Sequence, residues 1–400
     1  MTDRDARLQA VDRETLTPLV RQALGSETVE VIDWQYGPIY SDSLLYRWAG
    51  SARDQGAGGP AARKTSCSPV DRTTGPGTSP SLGESMPWSI ILKLESRRAE
   101  FDAGTREALA YQSGLLADLP GGIVPPRCLA VEEQAGHELW IWLEEVTDDV
   151  GQPWPLAHYK LAARHLGQFN GAYLAGGPLP AEPWLSRGFL RAWVTPRAAY
   201  VARFPSTREH PLVRRAFPPA VADGILRLWR EQDTLFDALN RLPQTLCHLD
   251  ANPANLFARR GADGQEQTVA IDWSYVGIAP IGVEIVGLVS SGLMRGMVDM
   301  AEARALDELV FAGYLAGLHE AGWRGEPRVV RFGYTAASAL RYLLAFGGGT
   351  VKTALDERRR TRWEQWRGQP IEEIMDREGE WRRFLLGLAD EAWELLNIVG

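Results

Sequence analysis

The sequence predicts an α+β protein built from two lobes. Its length of 400 residues exceeds what a single hydrophobic core usually serves, so the chain is expected to divide. Strand-like runs are frequent before residue 143, whereas helical apolar spacing prevails after residue 155. We therefore place a sheet-bearing N-lobe at residues 1–143 and a mainly helical C-lobe at residues 144–400.

The N-lobe elements follow from the spacing of apolar residues. Helical spacing predicts a leading helix over residues 4–24 and a second helix over residues 101–116. Alternating or continuous apolar runs predict strands over residues 28–34, 43–49, 88–94, 125–131 and 138–143. These strands are enough for a small sheet.

Residues 50–88 interrupt this pattern, because Gly, Pro, Ser, Thr and Arg dominate there and apolar residues almost vanish. Such a segment buries too little apolar surface to offset the entropy of ordering it, so it is expected to be a flexible insertion. It could fold over a substrate cleft or remain a solvated loop.

In the C-lobe, apolar periodicity predicts helices over residues 156–174, 184–204, 219–242, 283–294, 300–321, 329–345 and 380–398. His158 and His165 have no carboxylate or Cys partner at metal spacing and are interpreted as surface or capping residues. Gly347–Gly349 follows a helix rather than a strand, so it is interpreted as a helix terminator and not as a phosphate loop.

Composition excludes several classes of protein. The net charge of −8 argues against a general nucleic-acid binder, although it is compatible with a cationic substrate. The three cysteines are odd in number, widely spaced and without a Cys-x-x-Cys pair, which argues against a zinc site and against a disulfide framework. No apolar signal core or bilayer-spanning stretch is visible, so we expect a cytoplasmic protein without a membrane partner.

The chemistry is concentrated in residues 245–273. Asp250 is followed by Asn255 at five residues, and Asp272 ends the next apolar run. Phosphoryl transfer needs such groups: Asp250 can accept a hydroxyl proton, and Asn255 with Asp272 can bind magnesium already held by ATP. Taken singly, each residue could belong to an ordinary turn, whereas the joint pattern favours a kinase-like site.

These residues resemble the signature of the aminoglycoside phosphotransferase and choline kinase group, small-molecule relatives of protein kinases. The pattern His-x-Asp-x-x-x-x-Asn starts here at His248, and Ile271 precedes Asp272 as the group's hydrophobic-Asp pair. The resemblance implies a bilobal protein-kinase-like fold with a small antiparallel sheet in the N-lobe, and ATP and Mg²⁺ as cofactors. His248 would brace the loop through hydrogen bonds.

The same resemblance suggests the nucleotide-binding residues of the N-lobe. Lys93 stands where a kinase strand carries its phosphate-binding lysine, and Glu107 is its expected ion-pair partner; the alternatives are an edge-strand lysine and an exposed helical glutamate. Gly37 and Ser41 would contact phosphates, or simply form a turn. The last candidates are the adenine contacts Glu145 and Val146.

The sequence departs from the family pattern at two positions. Leu249 replaces the Gly that usually separates the His and the Asp, and the second motif is stretched and ends in Glu284 instead of Asp. Glu284 could cap a helix or hydrogen-bond the catalytic loop, and a structural role near the site is favoured. Both departures indicate a divergent branch and weaken any assignment of substrate.

The leading hypothesis is an ATP- and magnesium-dependent phosphotransferase that acts on a hydroxyl of a small molecule, with an aminoglycoside or amino sugar favoured. The alternatives are a metabolite kinase for a sugar or a choline-like alcohol, and a non-catalytic kinase-like binding module. A protein kinase is disfavoured because no Ala-Pro-Glu segment follows Asp272. Oligomeric state is left open.

Overall fold

The structure is a computed structural model that describes residues 3–40, 44–55, 85–96, 103–135 and 138–399. Within these ranges the strands are, in chain order, β1 (Val29–Pro38), β2 (Leu45–Asp54), β3 (Ser85–Ser96), β4 (Ile123–Val124), β5 (Cys128–Gln134), β6 (Glu138–Glu144), β7 (Ser186–Arg187), β8 (Gln244–Cys247), β9 (Leu256–Arg260), β10 (Glu266–Ala270) and β11 (Gly277–Pro280).

The α-helices in the same ranges are, in chain order, α1 (Asp3–Gln9), α2 (Arg13–Leu24), α3 (Ala103–Gln112), α4 (Leu156–Leu174), α5 (Phe189–Ala198), α6 (Pro211–Ala216), α7 (Pro219–Arg241), α8 (Val286–Arg295), α9 (Ala303–Glu320), α10 (Pro327–Ser338), α11 (Gly347–Leu355), α12 (Glu357–Arg367) and α13 (Ile371–Val399). A π-helical segment at Ala339–Leu344 directly follows α10. Short 3₁₀ segments lie at Ala199–Ser206, Trp273–Tyr275, Val283–Ile285 and Met300–Glu302.

The chain divides into two units. The first contains Met1–Ala108 and Pro126–Glu145, and the second contains Leu109–Pro125 and Val146–Gly400. The mixed architecture, with an antiparallel sheet early in the chain and a mostly helical remainder, confirms the predicted fold class. Among the described helices, none combines the length and apolarity that crossing a bilayer requires.

The first unit is an antiparallel sheet with the strand order β1-β2-β3-β6-β5. Buried tryptophans of its strands form part of the core: the Trp48 ring meets Trp142 edge-on at 5.7 Å, and the exposed Tyr36 stacks on Trp48 with centroids 4.3 Å apart. Leu16 and Val20 of α2 are fully buried in the same core. The helix covers one face of the sheet. Because side chains alternate along a strand, Lys93 lies on the opposite face.

Two N-lobe predictions need correction. The leading helix is broken into α1 and α2, because Asp12 takes an extended conformation and its carboxylate caps α2 by accepting from the Thr15 N–H at 2.9 Å. The insertion is shorter than predicted, since the β2–β3 ladder continues to the pair Arg53 and Ser85. Residues 56–84 lie outside the described ranges.

The second unit is organised around the close packing of α4 on α9. Glycines make this approach possible: a Cβ at Gly317 would lie 2.0 Å from the Arg164 carbonyl oxygen, and a Cβ at Gly167 would lie 2.1 Å from the Tyr314 carbonyl oxygen. The three-stranded sheets β4-β10-β9 and β7-β11-β8 belong to this unit. Together they hold the ends of the loop that carries Asp250.

Two C-lobe predictions were wrong. Gly347–Gly349 opens α11 instead of ending a helix, and a Cβ at Gly347 would lie 1.9 Å from the Tyr200 hydroxyl. His165 is buried, with 6% of its surface exposed, and its Nδ1 lies 2.9 Å from the Thr268 hydroxyl of β10. An inward-facing position on α4 explains the burial, which the apolar pattern around His165 did not reveal.

Burial of His165 has a consequence for stability at low pH. Burial lowers the pKa of His165 to about 4, from an ordinary value of 6.5. The folded state therefore favours the neutral ring. The contribution of His165 to the stability of the folded state is fully present above pH 6.5 and is lost as the pH falls through about 4. A shift of this size corresponds to a decrease on the order of 3 kcal/mol in the free energy of unfolding when His165 is protonated.

We expect His165→Asn, which keeps a polar partner near Thr268 but does not titrate, to flatten the loss of stability between pH 6.5 and 4. Urea unfolding at several pH values measures the effect, and the carboxylates that titrate in this range are common to both proteins. Parallel pH curves for the two proteins would contradict the buried neutral state.

Candidate active site

The loop between β8 and β9 gathers the polar residues of the sequence motif. The antiparallel β9–β10 ladder pairs Leu256 with Ala270 and continues with a hydrogen bond from the Ile271 N–H to the Asn255 carbonyl at 2.9 Å. Asn255 and Asp272 therefore meet at the same end of this ladder. The chain from Asp250 to Asp272, a separation of 22 positions, folds back on itself because the ladder is antiparallel.

Both oxygens of the Asp250 carboxylate are engaged. Oδ2 accepts from Asn255 Nδ2 at 2.9 Å, and Oδ1 accepts from Arg341 Nη2 at 2.8 Å. Asn255 Nδ2 also donates to the Asp250 carbonyl at 3.1 Å. These two bonds fix the orientation of the Asn255 amide group. Its Oδ1 is then the atom that can face a cation.

His248 connects the two ends of the loop. Its Nδ1 accepts from the Asp250 N–H at 3.1 Å and its Nε2 lies 2.8 Å from the Ile271 carbonyl. Because a carbonyl can only accept, this pattern assigns a neutral ring protonated at Nε2. The ring is fully buried and packs edge-on against Trp273 at 4.6 Å. His248 thus ties the backbone at Asp250 to the residue before Asp272.

Glu284 binds the backbone of the loop between β8 and β9. Its carboxylate accepts from the His248 N–H at 2.7 Å and from the Leu249 N–H at 3.1 Å. Burial raises the pKa of Glu284 above its ordinary value, although the bonds from His248 and Leu249 act in the opposite direction. Of the two roles considered from the sequence, hydrogen bonding to the loop that carries Asp250 is the one present in the structure.

Leu249 has a backbone conformation that glycine adopts without strain. Its φ of 66° lies in the left-handed region, which costs a residue with a side chain roughly 1–2 kcal/mol. Glu284 holds its N–H, Arg341 Nη1 donates to its carbonyl at 2.7 Å, and its side chain is 1% exposed. Burial and these two bonds offset the strain.

Asp272 lies two residues after the end of β10 and also has a left-handed backbone, with φ of 64°. Its Oδ1 accepts from the Ser274 hydroxyl at 2.7 Å. No group of three or more His, Cys, Asp or Glu side chains within the described ranges could hold a metal by itself. A carboxylate and an amide oxygen fit magnesium that brings further oxygen ligands with it, as a nucleotide-bound ion does.

The first unit contains, within itself, an ion pair between Lys93 of β3 and Glu107 of α3. The Glu107 side chain is fully buried, whereas 16% of the Lys93 side chain is exposed. Glu95 lies 3.6 Å from the same ammonium group. Two carboxylates therefore hold the lysine in place on the sheet face that α2 does not cover.

The remaining nucleotide-site candidates differ in their surroundings. Gly37 lies within β1 opposite Arg47, with open space where a Cβ would be. Ser41 lies outside the described residues. Glu145 accepts from Arg47 Nε at 2.7 Å, and this pairing contributes to a lowered pKa of the carboxyl group. Val146 follows it and is half-buried.

Arg341 is the site residue that the sequence analysis missed. It lies in the π-helical segment, within the predicted helix 329–345, and its side chain is directed to Asp250. A signal was present: Arg341 is the only charged residue between residues 332 and 351. A lone charge in an apolar run is costly to bury, so it indicates a partner.

Comparison with known proteins gives one family and a set of distant structures. A family model described as phosphotransferase enzyme family (APH) matches residues 88–328. Among curated proteins, no sequence matches the chain.

The similar solved structures share little sequence with the chain. One is an amicoumacin kinase in complex with AMP-PNP, Ca²⁺ and its ligand, with 12% identity, a TM-score of 0.46, and coverage of 93% of this chain and 96% of the other. A second is a spectinomycin phosphotransferase with ADP and spectinomycin, with 12% identity, a TM-score of 0.43, and coverage of 93% and 100%. A third is a choline kinase from Cryptosporidium parvum, with 11% identity, a TM-score of 0.48, and coverage of 97% of each chain.

Proposed function

Since the chain belongs to the phosphotransferase enzyme family, we propose that it transfers the γ-phosphoryl group of ATP to a hydroxyl of a small molecule. The observation that carries the proposal is the joint arrangement of Asp250, Asn255 and Asp272 at one end of the β9–β10 ladder. In phosphoryl transfer by kinases, one carboxylate accepts the hydroxyl proton, and a second carboxylate with an amide binds the metal ions.

The residues have separate roles in this reaction. The acceptor oxygen forms a bond to the γ-phosphorus, the bond from that phosphorus to the β–γ bridging oxygen breaks, and the hydroxyl proton passes to Asp250. Lys93, oriented by Glu107, binds the phosphates. Asn255 and Asp272 would hold magnesium, which neutralises triphosphate charge when it is bound.

The remaining candidates have supporting roles. Gly37 and Ser41 would contribute to phosphate binding, and Glu145 and Val146 would contact adenine through their backbone groups. His248 and Glu284 keep the loop in shape through the hydrogen bonds described above.

For the acceptor, we propose an aminoglycoside or another amino sugar, which the acidic net charge of −8 suits. A sugar or a choline-like alcohol is the competing class. A panel of aminoglycosides, amino sugars, neutral sugars and choline analogues in a coupled ADP-release assay separates these classes. We expect one class to raise ADP release well above the acceptor-free rate. Tight binding of ATP without turnover for any acceptor would instead indicate a binding module.

The magnesium assignment gives a prediction for Asp272. We expect Asp272→Asn to weaken binding of magnesium-ATP by about 10-fold or more, because one anionic ligand is lost, while metal-free ATP binds nearly as before. Isothermal titration calorimetry measures both affinities. Asp263→Asn, at an Asp in the exposed β9–β10 turn, is the matched control. Equal weakening with and without magnesium would remove Asp272 from the metal site.

A further inference from the structure

Arg341 clamps two consecutive residues of the catalytic loop. Nη1 donates to the Leu249 carbonyl at 2.7 Å, and Nη2 donates to Asp250 Oδ1 at 2.8 Å. The arginine is 5% exposed. One guanidinium group therefore fixes the backbone before Asp250 and the carboxylate of Asp250 itself, with the planar geometry that only arginine offers.

Aromatic rings enclose this clamp. The guanidinium carbon lies 5.3 Å from the ring centroids of Phe189 and Trp193 and 5.6 Å from that of Tyr342. Rings at this distance attract the cation and keep water away, so the ion pair acts in a medium of low dielectric constant. The Asp250 side chain, which is 21% exposed, is the part of the pair that solvent can reach.

The backbone that carries Arg341 is unusual as well. Ala339–Leu344 forms a π-helical segment whose six residues are all buried. Such segments are rare and occur frequently at functional sites. A buried ion pair is often no more stabilising than apolar residues of the same size. Stability alone is therefore a poor explanation for Arg341 at this position.

We infer that Arg341 is a positioning residue that orients the Asp250 carboxylate for the acceptor hydroxyl, an inference that rests on the proposed phosphotransfer. Arg341 holds Oδ1 while Asn255 holds Oδ2, so the carboxylate cannot rotate about its Cβ–Cγ bond without breaking a hydrogen bond. The hydroxyl can approach only the lone pairs that these two donors leave. Arg341 acts through Asp250 and needs no contact with substrate.

The first test compares Arg341→Met and Arg341→Lys, using the acceptor with the highest turnover in the panel. We expect Arg341→Met to lower kcat by about 100-fold, as misplacement of a reacting group does, with KM for ATP within about twofold of wild type. Arg341→Lys keeps the positive charge but lacks the planar guanidinium group that can donate to both acceptors, and we expect it to lower kcat by about 10-fold. A kcat within threefold of wild type for Arg341→Met would overturn the inference.

A matched control separates positioning from stability. Arg382 is also buried and paired, with Nη1 2.7 Å from Glu378, and it lies against Phe217 and Trp381. We expect Arg382→Met to lower the melting temperature but to leave kcat within about twofold of wild type, since it touches no residue of the loop. Equal losses of kcat in Arg382→Met and Arg341→Met would assign Arg341 to stability alone.

Chemical rescue provides a readout that a structural role would not move. We expect millimolar methylguanidine to raise kcat of Arg341→Ala by about 10-fold, because it can occupy the vacated site beside Asp250, and to leave wild type and Arg382→Ala unchanged. No gain in Arg341→Ala would count against a direct action on the carboxylate.

A double-mutant cycle with Asp250→Asn and Arg341→Met tests the pairing without any acceptor. We expect the unfolding equilibrium constants to show a coupling of about 10-fold, whereas distant residues would combine additively. If no acceptor in the panel is phosphorylated, the proposed function fails and the cycle still reports on the ion pair. If turnover is found but the cycle is additive, the proposed function stands and the role of Arg341 fails.

Discussion

Asp250→Asn is expected to reduce kcat by about 1,000-fold or more while the affinity for magnesium-ATP stays within about twofold of wild type. An amide cannot take the hydroxyl proton, so the loss falls on the chemical step. In the proposed reaction, binding of the nucleotide is assigned to Lys93, Asn255 and Asp272 instead. Turnover with the best acceptor and titration with a fluorescent ATP analogue measure the two quantities separately.

The control for this substitution is Asp233→Asn, which makes the same chemical change in an exposed residue paired with Arg191. Its kcat should equal that of wild type, because surface ion pairs contribute little even to stability. Retention of more than a tenth of the turnover by Asp250→Asn would show that another group accepts the proton.

Glu284→Ala is expected to lower the free energy of unfolding by about 3–5 kcal/mol, because it leaves the N–H groups of His248 and Leu249 buried without their acceptor. Leu249 would also lose one of the contacts that hold its left-handed backbone. With the loop misplaced, kcat should fall as well. Glu284→Gln keeps one acceptor oxygen, so its stability should lie between those of the alanine variant and wild type.

Urea unfolding ranks the three proteins, and kcat is compared at a temperature where all of them are folded. Glu378→Ala is the control, since Glu378 binds the buried Arg382 and is remote from the loop in its contacts. That variant should lose stability but keep kcat. A stable and fully active Glu284→Ala would show that the loop holds its own conformation.

Much of the architecture could be predicted from apolar spacing. The predicted helix at residues 156–174 coincides with α4, and the strands of the first unit lie within a few residues of their predicted positions. The failures have local causes that spacing does not record. Asp12 caps α2 and so separates it from α1, and Gly347 lies at the start of a helix, where the Tyr200 side chain leaves no room for a Cβ.

The proximity of Asp250, Asn255 and Asp272 could be predicted, because these residues are close together in the sequence and a short hairpin sets their spacing. Arg341 could not be placed by the same reasoning, since 91 residues separate it from Asp250 and only tertiary packing brings them together. The acceptor is harder still, because its contacts would come from helices whose sequences record amphipathic packing rather than chemistry.

Cys247 lies at the end of β8, immediately before His248, and is fully buried. Burial, together with the nearby Glu284 carboxylate, raises the pKa of this thiol well above its ordinary value. An alkylating reagent can therefore reach the sulfur only when local unfolding separates β8 from its neighbours. The rate at which this cysteine is labelled, measured by mass spectrometry, would report the rate at which the candidate active site opens in the wild-type protein. Added ATP should lower this rate if the nucleotide stabilises the closed loop.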